Sequence, residues 1–316
     1  MKRLTALTAA LMFALPSQAV AAPARSGIDF RAELQPIDGF GFSMAFQRAD
    51  LLHGARGLSP AKQREVLDLL LSEDKGAGLS ILRLGIGSST DRVYDHMPTI
   101  LPADPGGPDA TPEYVWDGWD GGQVWLAKEA KAYGVTRFFA DAWSAPAFMK
   151  TNGSENDGGE LLPEWRQAYA NYLVQYAEFY RQEGIRITDL GFTNEPDWTA
   201  TYASMRFTPQ QAVDFLKVLG PTVRASGLRT GVVCCDAAGW DRQVAYTEAI
   251  EADPAAAGPY GPSPATATAV RPTSRSRPTS ACGCRNGRRT APPGTRTGTT
   301  AAATTVSPSR PTSSTP

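Results

Sequence analysis

The chain has 316 residues, 42% of them hydrophobic and 20% charged, with a formal net charge of -1. That length allows one large domain or two small ones, and the balanced charge points to neither nucleic acid nor an anionic membrane as partner. The average hides an asymmetry: after Asp253 there is no Asp, Glu or Lys, and every charge is an Arg.

Residues 1–22 read as a secretion signal. Lys2 and Arg3 give a basic start, Leu4 to Leu15 an apolar stretch, and Pro16 breaks it. Ala19-Val20-Ala21 then offers the small-x-small cleavage pattern. The apolar stretch is shorter than the roughly 20 residues that a bilayer span requires. The expected location is therefore extracellular.

Residues 23–254 are expected to form the folded domain. Short β-rich runs are predicted at Ile37–Ser43, Leu79–Gly85, Thr136–Ala140, Asp189–Thr193 and Thr230–Cys235, with helical patterns between them. The helix predicted at Ser59–Leu71 opens with Ser59 as N-cap and Pro60 in its first turn. A second is predicted at Gly122–Tyr133. The third, Pro163–Glu183, repeats Trp165, Tyr169, Tyr172, Tyr176 and Phe179 at helical spacing. That aromatic stripe reads as core packing rather than a sugar platform. The fourth, Thr208–Leu219, begins with a capping box and a proline, and a fifth runs from Trp240 to Glu251. Strand and helix alternating at this rhythm predict parallel βαβ units.

A doubly wound sheet and a closed barrel both satisfy that rhythm. No G-x-G-x-x-G opens a helix and no P-loop is present, so no nucleotide or other cofactor is expected. Polar and aromatic residues cluster just past the predicted strand ends, at Gly87-Ser88-Ser89, Asp141-Ala142-Trp143-Ser144 and Asn194-Glu195-Pro196. In a (β/α)8 barrel the site is built at that end. The loop from Ser88 to Gly121 is long and rich in Pro, Gly and Asp, as functional loops often are.

Cys234 and Cys235 are adjacent, a spacing that seldom bridges, and are expected to be separate buried apolar groups. Cys282 and Cys284 lack the further Cys or His that a metal site needs, and no metal is expected. Residues 255–316 contain no Leu, Ile, Phe, Met or Trp. Such a segment cannot bury enough apolar surface to offset the entropy of ordering, so a disordered tail is expected. The abrupt change of composition fits a shifted reading frame better than a natural Pro/Thr linker.

Glu195 is the predicted catalytic residue. It follows the run Leu190-Gly191-Phe192-Thr193, and Pro196 cannot continue a ladder, so the glutamate stands where a strand ends. Cleaving a glycosidic bond needs a carboxylic acid that protonates the leaving oxygen. Asn194 beside it is placed to hold a sugar hydroxyl near the reacting carbon. From position alone, a surface glutamate in a loop is an equal reading.

Five motifs in order extend that reading. They are Gly39-Phe40-Gly41-Phe42-Ser43, Leu82-Arg83-Leu84-Gly85-Ile86-Gly87-Ser88-Ser89, Ala140 to Pro146 with Met149-Lys150-Thr151-Asn152, Gly191 to Pro196, and Cys234-Cys235-Asp236 with Gly239-Trp240. Together they resemble glycoside hydrolase family 30 over about Ile37 to Ile250. The Ala168-Tyr169-Ala170-Asn171-Tyr172-Leu173 segment and the Cys-Cys-Asp motif are most similar to its xylan-active branch.

The resemblance implies a retaining (β/α)8 TIM-barrel enzyme with a small β side domain. It implies Glu195 as acid/base, Arg83 hydrogen-bonded near the catalytic centre, Trp143 stacked on a sugar, and Trp198 and Tyr202 as further substrate-binding residues. A structural ion pair at Arg83 and core packing at Trp143 are the alternatives. Asp141 and Asp236 read as orienting groups. The barrel is expected to be incomplete, with about the first five β/α units. The family's nucleophile is a Glu on the seventh strand, and no position here matches it. The polysaccharide partner expected is β-linked, namely xylan. A non-catalytic carbohydrate-binding remnant, and β-1,6-galactanase- or glucosylceramidase-like specificity, are the competing readings.

Overall fold

The computed structural model describes Arg31, residues 37–93 and residues 96–257. The signal-peptide expectation for residues 1–22 and most of the tail expectation lie outside the described residues. Ala255 to Ala257, assigned above to the tail, are helical, and Ala256 is buried.

Five strands build one parallel sheet: β1 Gly41–Ser43, β2 Ile81–Ile86, β3 Arg137–Ala142, β4 Asp189–Gly191 and β5 Gly231–Val233. Each strand pairs with the next in sequence, Phe42 opposite Leu82, Leu84 opposite Ala140, Ala140 opposite Leu190 and Leu190 opposite Val232. The order β1-β2-β3-β4-β5 never reverses. A doubly wound sheet reverses at a switch point, so unidirectional winding gives the fold class: α/β, of (β/α)8 TIM-barrel type, with five β/α units. Among the described residues every strand belongs to this sheet, and no β side domain is present.

The helices are α1 Asp50–His53, α2 Pro60–Leu71, α3 Gln123–Ala132, α4 Arg166–Gln182, α5 Pro209–Ala225, α6 Trp240–Ala252 and α7 Pro254–Ala257. Their apolar faces pack on one face of the sheet. Leu82, Leu84, Ile86, Phe138, Ala140 and Leu190 join Leu67, Val124, Leu126, Tyr169 and Phe215 in one buried core. The intervening strand positions are Arg83 and Gly85 on β2, Arg137, Phe139 and Asp141 on β3, and Asp189 and Gly191 on β4. Successive strand residues point to opposite faces, so these side chains line the other face, the barrel interior. At the N-terminal end of that face Arg137 grips Asp189 with Nε at 2.9 Å and Nη2 at 3.1 Å.

Two helix boundaries reward explanation. The capping box of α5 forms as expected, with Gln211 N–H donating to Thr208 Oγ1 at 3.2 Å and Thr208 N–H to Gln211 Oε1 at 2.7 Å. The helix does not stop before Pro221, however, but continues to Ala225. Leu219, Gly220 and Val223 are all buried, and Thr222 Oγ1 donates to the Val218 carbonyl at 2.8 Å. Packing outweighs the cost of roughly 3 kcal/mol that an interior proline carries.

The aromatic stripe of α4 is core, and its hydroxyls position the strand ends. Tyr169, Tyr172, Tyr176 and Tyr180 are buried. Tyr169 donates to Phe192 O at 2.9 Å, and Tyr172 donates to Gly87 O. Tyr176 and Tyr180 both reach Asp120 Oδ2, at 2.6 and 2.7 Å. Asp120 also accepts from Gln123 Nε2 at 2.9 Å, and the same Gln123 amide brackets Gly85, accepting from its N–H and donating to its C=O. Through this network α4 and the long loop hold the end of β2, beyond the point where β1 pairs with it. Trp116 in that loop stacks on Phe179, ring centroids 5.0 Å apart.

Candidate active site

The site lies where β2 to β5 end. Arg83 of β2 is 1% exposed, and its Nη2 contacts Asp141 Oδ2 of β3 at 2.5 Å, Asp236 Oδ2 after β5 at 2.9 Å and Asn194 Oδ1 after β4 at 2.8 Å. One guanidinium thus joins four strand ends. Two carboxyls share that single cation, Asp141 buried and Asp236 partly exposed, and desolvation holds both above the usual carboxylate range despite Arg83. Gly191 makes this possible: a Cβ there would stand 2.3 Å from Asp141 Oδ1.

Glu195 follows directly. Asn194 extends β4 by donating its N–H to Ala142 O at 2.8 Å, and it bridges to Asp236 of the next strand. Glu195 then turns into the left-handed region at φ 48°. Its N–H donates to Asp236 O at 2.8 Å, and its carbonyl accepts from Trp198 N–H at 2.9 Å. A non-glycine residue held there costs about 1–3 kcal/mol and persists only where its surroundings enforce it. The turn lifts the half-buried carboxyl off the end of the strand. Burial raises its pKa first, and the negative charges of Asp236 and Asp197 add to the rise, while Arg83 and an Asn194 hydrogen bond pull it down. A carboxyl so placed keeps its proton to higher pH and can deliver it to an oxygen in the cleft.

The other expected site residues divide. Asn194 and Arg83 are buried beside Glu195, where Arg83 makes ion pairs and a hydrogen bond to Asn194 Oδ1. Trp143 is a correction. It is 3% exposed, with the Arg83 guanidinium carbon 4.4 Å from its ring centroid and Phe46 edge-on at 5.3 Å. The absent Cβ of Gly85 admits the ring, whose Cζ3 would be 3.3 Å from it. Trp143 supports Arg83 and offers no open platform. Trp198 and Tyr202, 48% and 39% exposed, stand on the loop after Glu195. Phe46 meets Tyr202 edge-on at 5.9 Å. Its backbone at φ 56° follows no glycine or asparagine signal, which is why sequence reasoning misses it.

Cys234 and Cys235 are the second correction. They form a vicinal disulfide, their Cα atoms 3.0 Å apart across a cis peptide, immediately before Asp236. The expectation of separate buried apolar groups rested on how seldom adjacent cysteines bridge. Among the described residues no three His, Cys, Asp or Glu gather in a metal-binding group, and no helix is long and apolar enough to cross a membrane.

Unidirectional β/α winding with a raised carboxyl, a shared arginine and exposed aromatics gathered at the strand ends is the arrangement of a (β/α)8 barrel's active face. Sequence comparison gives that class its family: O-glycosyl hydrolase family 30 matches residues 24–256, and the chain belongs to it. The catalytic domain of GH30 xylanase C from Talaromyces cellulolyticus is 45% identical with a TM-score of 0.65, over 70% of this chain and 51% of that one. Putative glucosylceramidase 3 of Caenorhabditis elegans is 36% identical over 31% of this chain and 20% of its own length. An endo-1,6-beta-D-glucanase of Trichoderma harzianum is 27% identical over 64% of this chain and 43% of its own. The chain thus spans between a fifth and about half of these relatives.

Proposed function

We propose that this chain is the proton-donating portion of an exported, retaining glycosidase whose substrate is xylan. The raised, half-buried carboxyl of Glu195 at the end of β4 carries the reading, with Glu195 protonating the departing oxygen. Trp198 and Tyr202 hold the sugar, while Asn194 and Arg83, backed by Trp143, fix the strand ends beneath Glu195. The 45% identity to a xylanase supports xylan over the linkages suggested by the more distant relatives.

Retention of configuration needs a second carboxylate about 5–5.5 Å from the first. The carboxyls that act on Glu195 are Asp236 and Asp197. Both are committed, Asp236 to Arg83 and Asp197 to Arg242 at 3.0 Å. Both are held by arginines rather than free to attack, so the chain binds xylan but does not cleave it unaided. Co-sedimentation with insoluble xylan tests this, alongside titration with xylohexaose and a β-1,6-linked glucan oligosaccharide. The expected result is retention on xylan, preference for xylohexaose and no reducing sugar released. Preference for the β-1,6 oligosaccharide, or failure to bind either, overturns the substrate assignment.

A further inference from the structure

The loop after β3, residues 143–165, and the loop after β4, residues 192–208, are braced together by a buried lysine that the chemistry above does not use. Lys150 is 3% exposed. Its Nζ donates to Ser204 O at 2.8 Å on one loop and Glu155 O at 3.3 Å on its own. Ser204 is the facing hub. Its Oγ accepts from Gly158 N–H at 2.9 Å and Ala200 N–H at 3.2 Å, and donates to Ala200 O at 3.0 Å. Backbone bonds run alongside: Ser204 N–H to Glu155 O at 3.0 Å, Asp157 N–H to Ala200 O at 2.9 Å and Arg206 N–H to Gly159 O at 2.8 Å.

Burying an ammonium is costly unless its donors are satisfied, and burial drives Lys150 down to about 7. Both charge states keep N–H donors, so the brace holds in either. A neutral apolar side chain would fill the space without that cost, yet could not satisfy the two carbonyls. The loop so held begins at Glu195 and carries Trp198 and Tyr202. A residue that protonates the leaving oxygen is flanked by residues facing the departing sugar.

Resting on the sugar-binding reading above, we propose that Lys150 is a positioning residue that bolts the two loops into one unit, presenting Trp198 and Tyr202 as a preformed platform for the leaving-group sugar. Preorganisation of this kind raises affinity by removing an ordering cost.

Lys150→Met in the full chain tests it, with circular dichroism to confirm folding. Amide hydrogen exchange should accelerate together in residues 155–160 and 198–206, and xylohexaose affinity should fall about tenfold. That loss should be non-additive with the loss in Trp198→Ala, a coupling that general destabilisation would not produce. Exchange that rises in one loop only, unchanged affinity, or additive losses would overturn the proposal. If Lys150→Met does not fold, Lys150→Gln, which keeps N–H donors on a shorter side chain, is expected to give the same paired acceleration and coupling, and its absence is equally decisive. Should the wild type bind no xylohexaose, the substrate reading fails and the platform role falls with it, while the exchange data still decide whether Lys150 joins the loops.

Discussion

With sodium azide present, this chain is expected to cleave a β-1,4-linked xylo-oligosaccharide to an α-glycosyl azide, and Glu195→Gln is expected to reduce that product by about 10²–10⁴-fold. Azide attacks the anomeric carbon from the face opposite the leaving group. The C–O bond breaks, and the leaving oxygen takes the Glu195 proton. A small anion thereby supplies the bond that the family's nucleophile would form. An unactivated oligosaccharide is essential, because an aryl leaving group departs without protonation and would hide the role of Glu195. Mass spectrometry detects the azide adduct, and NMR assigns its anomeric configuration. Equal azide product from Glu195→Gln and wild type would remove Glu195 from the chemistry.

Arg83→Met is expected to lower stability by about 3–5 kcal/mol, because Asp141, 1% exposed, would be left buried without its cation, beside the partly exposed Asp236. Removing one partner of a buried pair costs far more than the intact pair contributes. The double variant Arg83→Met/Asp141→Asn should recover part of the loss, since one of the stranded charges is gone. Equilibrium urea unfolding measures both. A loss below about 1 kcal/mol for Arg83→Met, the scale of an exposed ion pair, would mean that the cluster is solvated rather than buried.

What could be read from the sequence, and what could not, follows from range. The order of strands and helices is written in local periodicity, and the capping box at Thr208 and Gln211 forms as its spacing dictates. The place of Glu195 past a strand end is legible from the run Leu190 to Thr193, although β4 already ends at Gly191. The misses are long-range. Whether Trp143 faces a sugar or Arg83 depends on Gly85, Phe46 and Met97, none of them near it in sequence. Helix α5 passes Pro221 because its far side is buried, which propensity cannot register. Lys150 stands in a recognisable motif, yet its partner Ser204 is 54 residues away, and nothing local links them.

The most direct measurement is the ionisation of the Glu195 side chain itself, followed by carbon-detected NMR of the selectively labelled carboxyl across a pH titration. The expected midpoint lies above the ordinary glutamate value, and Asp236→Asn should move it down by removing one of the charges that raise it. Linkage fixes the sign for stability: a carboxyl whose folded pKa is raised contributes most below its unfolded value, and that contribution is lost as pH rises through the folded one. A Glu195 midpoint at or below the ordinary value would contradict its assignment as the proton donor.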